Sequence, residues 1–279
     1  MNKVTLISQN SMASYVFTMI FVNKHYDKIS SIFIIDLISG ESISSKIKNL
    51  RRLIKNSSIQ FAFYKFFETQ FYMFVLKLFK FLKKIQYSKI EDIAKSNNLR
   101  VYKFKDINDP EFIKQINLIN DSNFSIFTTG QILKKSTLDN LKSYPINCHG
   151  SYLPKFRGAA QYIWYQVYNY KEFGITFHNL THEIDAGDIL YQKNFQIPEN
   201  ISCFYLHYLI AKNWGLEFDL FINDLNFPPN TEAQDHSQSS NLSLPNSEAF
   251  KKLKLQNKKI IKISDLKKIS YDLKQFQHN

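Results

Sequence analysis

Glycine is scarce in this chain, with seven in 279 residues, and proline is no commoner. The first turn that could open a nucleotide-binding unit, Ser8-Gln-Asn-Ser-Met-Ala-Ser14, has no glycine at all. That excludes a dinucleotide fingerprint and a phosphate-cradling P-loop at this turn. Cysteine is nearly absent. Cys148 and Cys203 offer neither a disulfide framework nor a zinc-ligand spacing, so a reducing compartment is expected and a metal is not. Long charge-free apolar runs are missing too. Residues 12–22 are broken by Ser, Thr and Tyr, and residues 61–82 carry Lys65, Glu68, Lys77 and Lys80. Neither stretch approaches the ~20 apolar residues that a bilayer span needs. No small-residue cleavage site stands out near the N-terminus. A cytoplasmic protein is expected, and a membrane is not expected as a partner.

Acidic residues are also short in number, 24 against 36 Lys and Arg, for a net charge of +12. An anionic substrate, a nucleic acid and a membrane surface all fit such a charge. Residues 251–274 alone hold nine Lys against Asp265 and Asp272. The Lys excess accompanies a general richness in Ile and Asn, which makes it a weak pointer to any partner.

What is present is a regular alternation. Apolar, strand-like runs at residues 4–7, 29–35, 99–104, 124–128 and 146–149 alternate with helix-like stretches at 11–24, 110–119 (capped by Asn108 or Asp109) and 135–141. Such alternation predicts an α/β fold with a mostly parallel sheet, whose ligands sit beyond the carboxyl ends of the strands. Residues 39–93 read as a helical insertion. Its stretch FAFYKFFETQFYMFVLKLFKFLKK is aromatic all round and carries Lys65, Lys77, Lys80, Lys83 and Lys84. A helix pair packed on the domain is the plain reading, and a surface-lying or partner-binding helix is the other. A long amphipathic helix is predicted over 204–223. Residues 228–248, rich in Ser, Asn and Pro, read as a linker or surface loop. Residues 249–279 form a basic tail with a possible strand at 260–263. The catalytic domain is thus expected over 1–227.

The chemistry concentrates at Asn147-Cys-His149, where a strand ends and the chain turns at once through Gly150-Ser-Tyr-Leu-Pro154. Alternation along a strand puts Asn147 and His149 on one side and Cys148 on the other, toward the core. Downstream, Asp185-Ala-Gly-Asp188 suits a tight turn that presents a carboxylate. An amide, an imidazole and a carboxylate form a coherent set for acyl transfer to an amine. The first two can stabilise an oxyanion, and the last can set the imidazole's protonation. No Ser or Cys with a partnered base is evident; Ser151 is near His149 only along the turn.

The run Asn147-Cys-His149-Gly-Ser151-Tyr-Leu153-Pro154-Lys-Phe-Arg157-Gly158-Ala-Ala resembles the signature of the 10-formyltetrahydrofolate-dependent formyltransferases. That superfamily includes enzymes acting on methionyl-tRNA, glycinamide ribonucleotide and amino sugars. Trp164, Gly174-Ile-Thr176-Phe-His178 and Ile184-Asp185-Ala-Gly187-Asp188 follow in register, and Gly130-Gln131-Ile132-Leu133 is similar to the segment that lines the folate pocket. The similarity covers about 95–200 well and 1–40 by pattern only. It implies a Rossmann-like sheet of the formyltransferase type, a 10-formyltetrahydrofolate donor, and Asn147, His149 and Asp185 as the catalytic trio. It further implies that Gln131, Ile132, Leu133, Leu180 and Ile184 bind the folate, largely through backbone groups. His178 matches a frequent family His and reads as structural. Tyr152 stands where Leu is usual, and Gln161 where Pro often follows the Ala pair.

The resemblance leaves the acceptor open. The HGS form and the GQIL segment are similar to the methionyl-tRNA branch, whose C-terminal β-barrel has no counterpart in the residues after 228. A small amine is therefore expected, most simply a nucleotide-linked amino sugar, with methionyl-tRNA as the alternative. A catalytically inactive binding module is a third reading, and a homodimer is conceivable.

Overall fold

The computed structural model describes residues 3–36, 43–119 and 121–278. Strands β1 (Lys3–Gln9), β2 (Ile29–Ile35), β3 (Arg100–Phe104), β4 (Ser122–Phe127) and β5 (Tyr144–His149) pair in parallel. β6 (Arg157–Gly158) is a short strand outside this sheet, and β7 (Glu172–Asn179) and β8 (Ile189–Gln196) add two antiparallel strands at one edge. The sheet order is β3-β2-β1-β4-β5-β7-β8. This is the α/β, mostly parallel sheet expected from the alternation.

Strand alternation divides the apolar residues between two cores. Val4, Leu6, Ile32, Ile34, Ile126, Ile146 and Cys148 face one side. Ile7, Phe33, Ile35 and Phe127 face the other, under α5 (Pro110–Asn117). The Asp109 carboxylate caps α5 by accepting from the Glu111 N–H. On the first side lies α1 (Met12–His25), apolar around its whole circumference and buried from Met12 to Val22. It is sandwiched between the sheet and α8 (Cys203–Asp224), where the Phe218 ring meets Phe17 and Phe21 edge-on at 5.6 and 5.1 Å. Full burial of each ring contributes about 1.5–3 kcal/mol. Its low polarity is therefore that of a core helix, covered on every side.

The expected insertion consists of α2 (Ile43–Asn56), α3 (Ile59–Phe81) and the start of α4 (Ile90–Ser96); residues 39–42 lie outside the described residues. α3 is packed along one face only. Phe61, Tyr64, Glu68, Tyr72, Val75, Leu76 and Phe79 are buried. Glu68 accepts from Tyr64 OH at 2.9 Å, lies 2.8 Å from His207 Nδ1 on α8, and pairs with Lys65. Burial alone would raise its carboxyl, but the charges of Lys65 and His207 overcome it and hold the group well below the carboxylate range.

The residues after 228 pack back on this domain. α6 (Lys135–Asp139) and α7 (Gln161–Val167) precede them in the chain; then come β9 (Asn241–Leu242), α9 (Ser247–Leu255) and α10 (Ile263–His278). β9 pairs with β6. Ala249 and Leu253 of α9 and Ile269 and Leu273 of α10 join the main core. The strand expected at 260–263 does not form. The carbonyls of Lys259 and Ile260 instead accept from the N–H groups of Cys203 and Phe204. They thus serve the orphan donors at the N-terminus of α8 rather than a sheet edge. No helix among the described residues is long and apolar enough to cross a membrane.

Candidate active site

β5 ends in the side chains that define the site. Asn147 pairs across the antiparallel ladder with His178 of β7, which brings the two side chains onto one face. Asn147 Nδ2 lies 3.2 Å from His178 Nε2, and His178 Nδ1 lies 2.8 Å from the Asn179 carbonyl. A carbonyl can only accept, so Nδ1 carries the proton, and Nε2 of the neutral ring accepts one N–H of Asn147. The second N–H of that amide remains for another acceptor.

Asp185 arrives from the loop after β7. Its Oδ1 is 3.4 Å from Nδ1 of His149 and 3.6 Å from Nε2 of His178. Its Oδ2 accepts from the Gly158 N–H at 2.7 Å. Asp185 occupies the left-handed region with φ 53°, a conformation that costs a non-glycine residue free energy and persists only when neighbours impose it. Gly187 is one such constraint. A Cβ there would lie 1.9 Å from the Asn179 carbonyl oxygen, so the turn closes only over glycine. Burial by itself would raise the Asp185 carboxyl. The adjacent His149 ring, then His178, then the Gly158 N–H outweigh it, and the group stays ionised well below the carboxylate range.

His149 is buried, and its own carbonyl accepts from Trp214 Nε1 at 3.0 Å. Its ring faces an acceptor at each nitrogen: Asp185 Oδ1 at Nδ1, and the Phe156 carbonyl 3.1 Å from Nε2. A neutral ring satisfies one of them; a protonated ring satisfies both. Burial pushes the imidazole below its usual range, Asp185 pulls it back up, and His178 and Arg157 add to the lowering. The ring is thus held neutral but placed to receive a proton. Cys148 points into the core, and burial pushes its thiol up. Ser151 Oγ donates to the Lys155 and Phe156 carbonyls at 2.8 and 3.1 Å, so it is engaged away from any nucleophilic role.

The expected folate residues lie in the two loops beside this recess. The Gln131 side chain is spent on the neighbouring loop, accepting from the Ile107 N–H at 2.8 Å and donating to the Lys105 carbonyl at 3.3 Å. Leu133 and Leu180 pack on the same apolar cluster, while Ile132 and Ile184 are exposed. The ligand atoms of His149, His178 and Asp185 lie within 4.8 Å of one another, a spacing that could hold a metal ion. These atoms are, however, already engaged with one another and with Gly158, Phe156 and Asn147.

Other residues at the site carry no signal in a linear reading. Gln161 Nε2 donates to the Gly158 carbonyl at 2.5 Å and lies 3.3 Å from His149 Nε2. Gln234, from the stretch expected as a linker or surface loop, donates to the carbonyls of Asp185 and Gly187 at 3.0 and 2.6 Å. Its Oε1 accepts from the buried Arg157 at 2.6 Å, and His236 lies 3.0 Å from the same Arg157 nitrogen. Residues 232–242 therefore clamp the Asp185 turn. His178, read from the sequence as structural, is set opposite Asn147 by strand register and lies at the site. Nothing in the Ser- and Asn-rich stretch marks Gln234.

Residues 79–206 match the formyl transferase family. Methionyl-tRNA formyltransferases are similar over part of their length. The Clostridioides difficile protein is 34% identical over 125 residues, 45% of this chain and 40% of that protein. The Clostridium novyi protein is 32% identical over 145 residues, 52% of this chain and 46% of that protein. The chain thus spans less than half the length of the curated relatives it matches. Among solved structures, a phosphoribosylglycinamide formyltransferase from Anaplasma phagocytophilum shares the fold with a TM-score of 0.55 at 14% identity, covering 88% of this chain and 98% of that one. A sugar N-formyltransferase from a Shewanella species does so with a TM-score of 0.52 at 15% identity, covering 90% and 79%. Asn147, His149 and Asp185 all lie inside the segment that matches the formyl transferase family.

Proposed function

We propose that the protein transfers a formyl group from 10-formyltetrahydrofolate to a primary amine, with Asn147, His149 and Asp185 as catalytic residues. The observation that carries this reading is the convergence at the carboxyl end of β5, where Asp185 lies against His149 and Asn147 is joined to it through His178. The free N–H of Asn147 is suited to the carbonyl oxygen as it becomes an oxyanion. His149, neutral and flanked by an ionised Asp185, takes up the proton that the attacking amine loses as its nitrogen bonds to the formyl carbon, and gives a proton to the donor nitrogen as the bond from that nitrogen to the formyl carbon breaks and tetrahydrofolate leaves. Asp185 orients the ring and stabilises the imidazolium.

The donor fits what the neighbouring loops offer. Ile132 and Ile184 are exposed, Leu133 and Leu180 share an apolar floor, and the Gln131 side chain is already committed. What remains for a flat heterocycle is apolar surface and the backbone groups of 131–133 and 180–184. The donor supplies an activated formyl carbonyl.

The acceptor reading is a nucleotide-linked amino sugar or similarly small amine. It is supported by the low exposure of the Asp185 side chain, 11%, and by the hydrogen bonds of Gln234 that lay residues 232–242 against the same turn. Methionyl-tRNA is the second reading, favoured by the 34% identity to methionyl-tRNA formyltransferases. Incubation with 10-formyltetrahydrofolate and either charged initiator tRNA or a panel of nucleotide-linked 3-amino and 4-amino sugars, with tetrahydrofolate release followed, separates them. Formylation of tRNA alone overturns the sugar. No turnover with any amine, together with no folate binding, overturns the enzyme and leaves a binding module.

A further inference from the structure

α3 buries one apolar face and leaves a second one in water. Ile59, Phe63, Phe66, Phe67, Phe74 and Phe81 form a stripe along the helix, with Phe63, Phe66, Phe74 and Phe81 exposed by 70, 65, 61 and 82%. A helix apolar all round is normally covered all round. α2, joined to α3 through Ser57 and Ser58, is likewise under-covered. Ile47, Leu50 and Ile54 recur at helical spacing, and Ile47 and Leu50 are 45 and 46% exposed. On its other side stand Lys48, Arg51, Arg52 and Lys55, all exposed.

The charge of this hairpin decides what covers it. Residues 43–84 contain ten Lys and Arg against one acid, Glu68, which is buried and paired. A second copy of the chain would bring two such surfaces of the same sign together. An anionic surface would neutralise them. RNA is anionic too, but it offers no medium for a row of phenyl groups more than 20 residues long, whereas a headgroup layer offers charge outside and hydrocarbon beneath.

We propose that the α2–α3 hairpin docks on an anionic lipid bilayer, lying in the interfacial plane with the α3 phenylalanines and the α2 aliphatics sunk toward the acyl chains and the basic residues among the headgroups. A spanning segment is not needed for this, and none is present among the described residues. The hairpin lies between β2 and α4 in the chain, and the buried face of α3 packs on α7 and α8 through Tyr64–Tyr162 and Phe71–Phe204, which leaves the opposite face free to dock.

The test is flotation of the purified full chain with vesicles of phosphatidylcholine alone or of phosphatidylcholine with phosphatidylglycerol, a readout independent of turnover. Binding at least about tenfold tighter to the anionic vesicles, weakened by salt, is expected. Phe63→Ser with Phe74→Ser, which keeps the charge, and Arg51→Glu with Arg52→Glu, which keeps the apolar face, should each reduce it about tenfold or more, with the thermal midpoint held. Three results overturn the proposal: equal or absent binding to both vesicle types; a concentration-dependent dimer that Phe63→Ser with Phe74→Ser disperses; or tRNA binding that the same variants abolish while vesicles are ignored.

Discussion

Gln234 Nε2 lies 2.6 Å from the Gly187 carbonyl and 3.0 Å from that of Asp185, and its Oε1 lies 2.6 Å from Arg157. One side chain from the far end of the chain thereby links the basic turn after β5 to the acidic turn after β7. It holds Asp185 in its left-handed conformation against His149. Gln234→Ala should lower kcat by about ten- to a hundredfold with little change in KM, because a small displacement of Asp185 misaligns the proton acceptor. Gln234→Glu keeps a partner for Arg157 but loses both donated bonds. If steady-state kinetics show that Glu restores activity, then the Arg157 bond, not the donation, is what matters.

Gly187 makes a sharper prediction. Its missing Cβ is the space that the Asn179 carbonyl fills. Gly187→Ala should destabilise the fold by about 1–3 kcal/mol through overpacking and should remove activity beyond what the stability loss explains. Urea denaturation at neutral pH, paired with kcat on the folded fraction, separates the two effects.

The pH dependence follows from the buried imidazole. Burial holds the His149 pKa below its ordinary value of 6.5, against the pull of Asp185. The proton-accepting form is therefore lost only on the acid side, and kcat/KM should fall as pH drops through that lowered value. A variant that neutralises Asp185 removes the charge favouring the imidazolium, so any residual activity should show this limb displaced to still lower pH. A limb displaced upward contradicts the assignment.

Glu68 predicts a stability effect remote from the site. Its carboxyl is held low in the folded state by Lys65 and His207. It contributes stability above the unfolded carboxylate value of about 4.3, and that contribution is lost as pH falls toward the folded value. Glu68→Ala takes the shared acceptor from Tyr64, the part-buried His207 and the part-exposed Lys65, and should cost about 1–3 kcal/mol at neutral pH. The gap between variant and wild type should narrow in acid, as denaturation at pH 7 and in the acid range will show.

The sheet and the Asn147–His149 pair were legible because they depend on local signals. β-branched runs report buried strands, and Asn147 and His149 share a face by alternation alone. Asp185 was legible only through the spaced resemblance, since nothing local ties it to β5. Gln161 and Gln234 were not legible. A glutamine amide finds its partner through tertiary contact, and residues 228–248 look like solvent-facing loop until β9 pairs with β6. The misread strand at 260–263 has the same cause: β-branched residues there serve the N-terminus of α8 through their backbone. The helical insertion was read either as a packed helix pair or as a surface-lying or partner-binding helix; Glu68 and its buried face fit the first, and the exposed phenylalanines opposite fit the second.

The central claim is that the Asp185–His149 pair accepts the amine's proton during formyl transfer. It is tested most directly by Asp185→Asn, assayed as tetrahydrofolate release with the amine that turns over in the wild-type protein. The expected result is a loss of about 10²–10⁴-fold in kcat with the thermal midpoint and folate binding retained. Activity within a few-fold of wild type in a folded, folate-binding variant would contradict it.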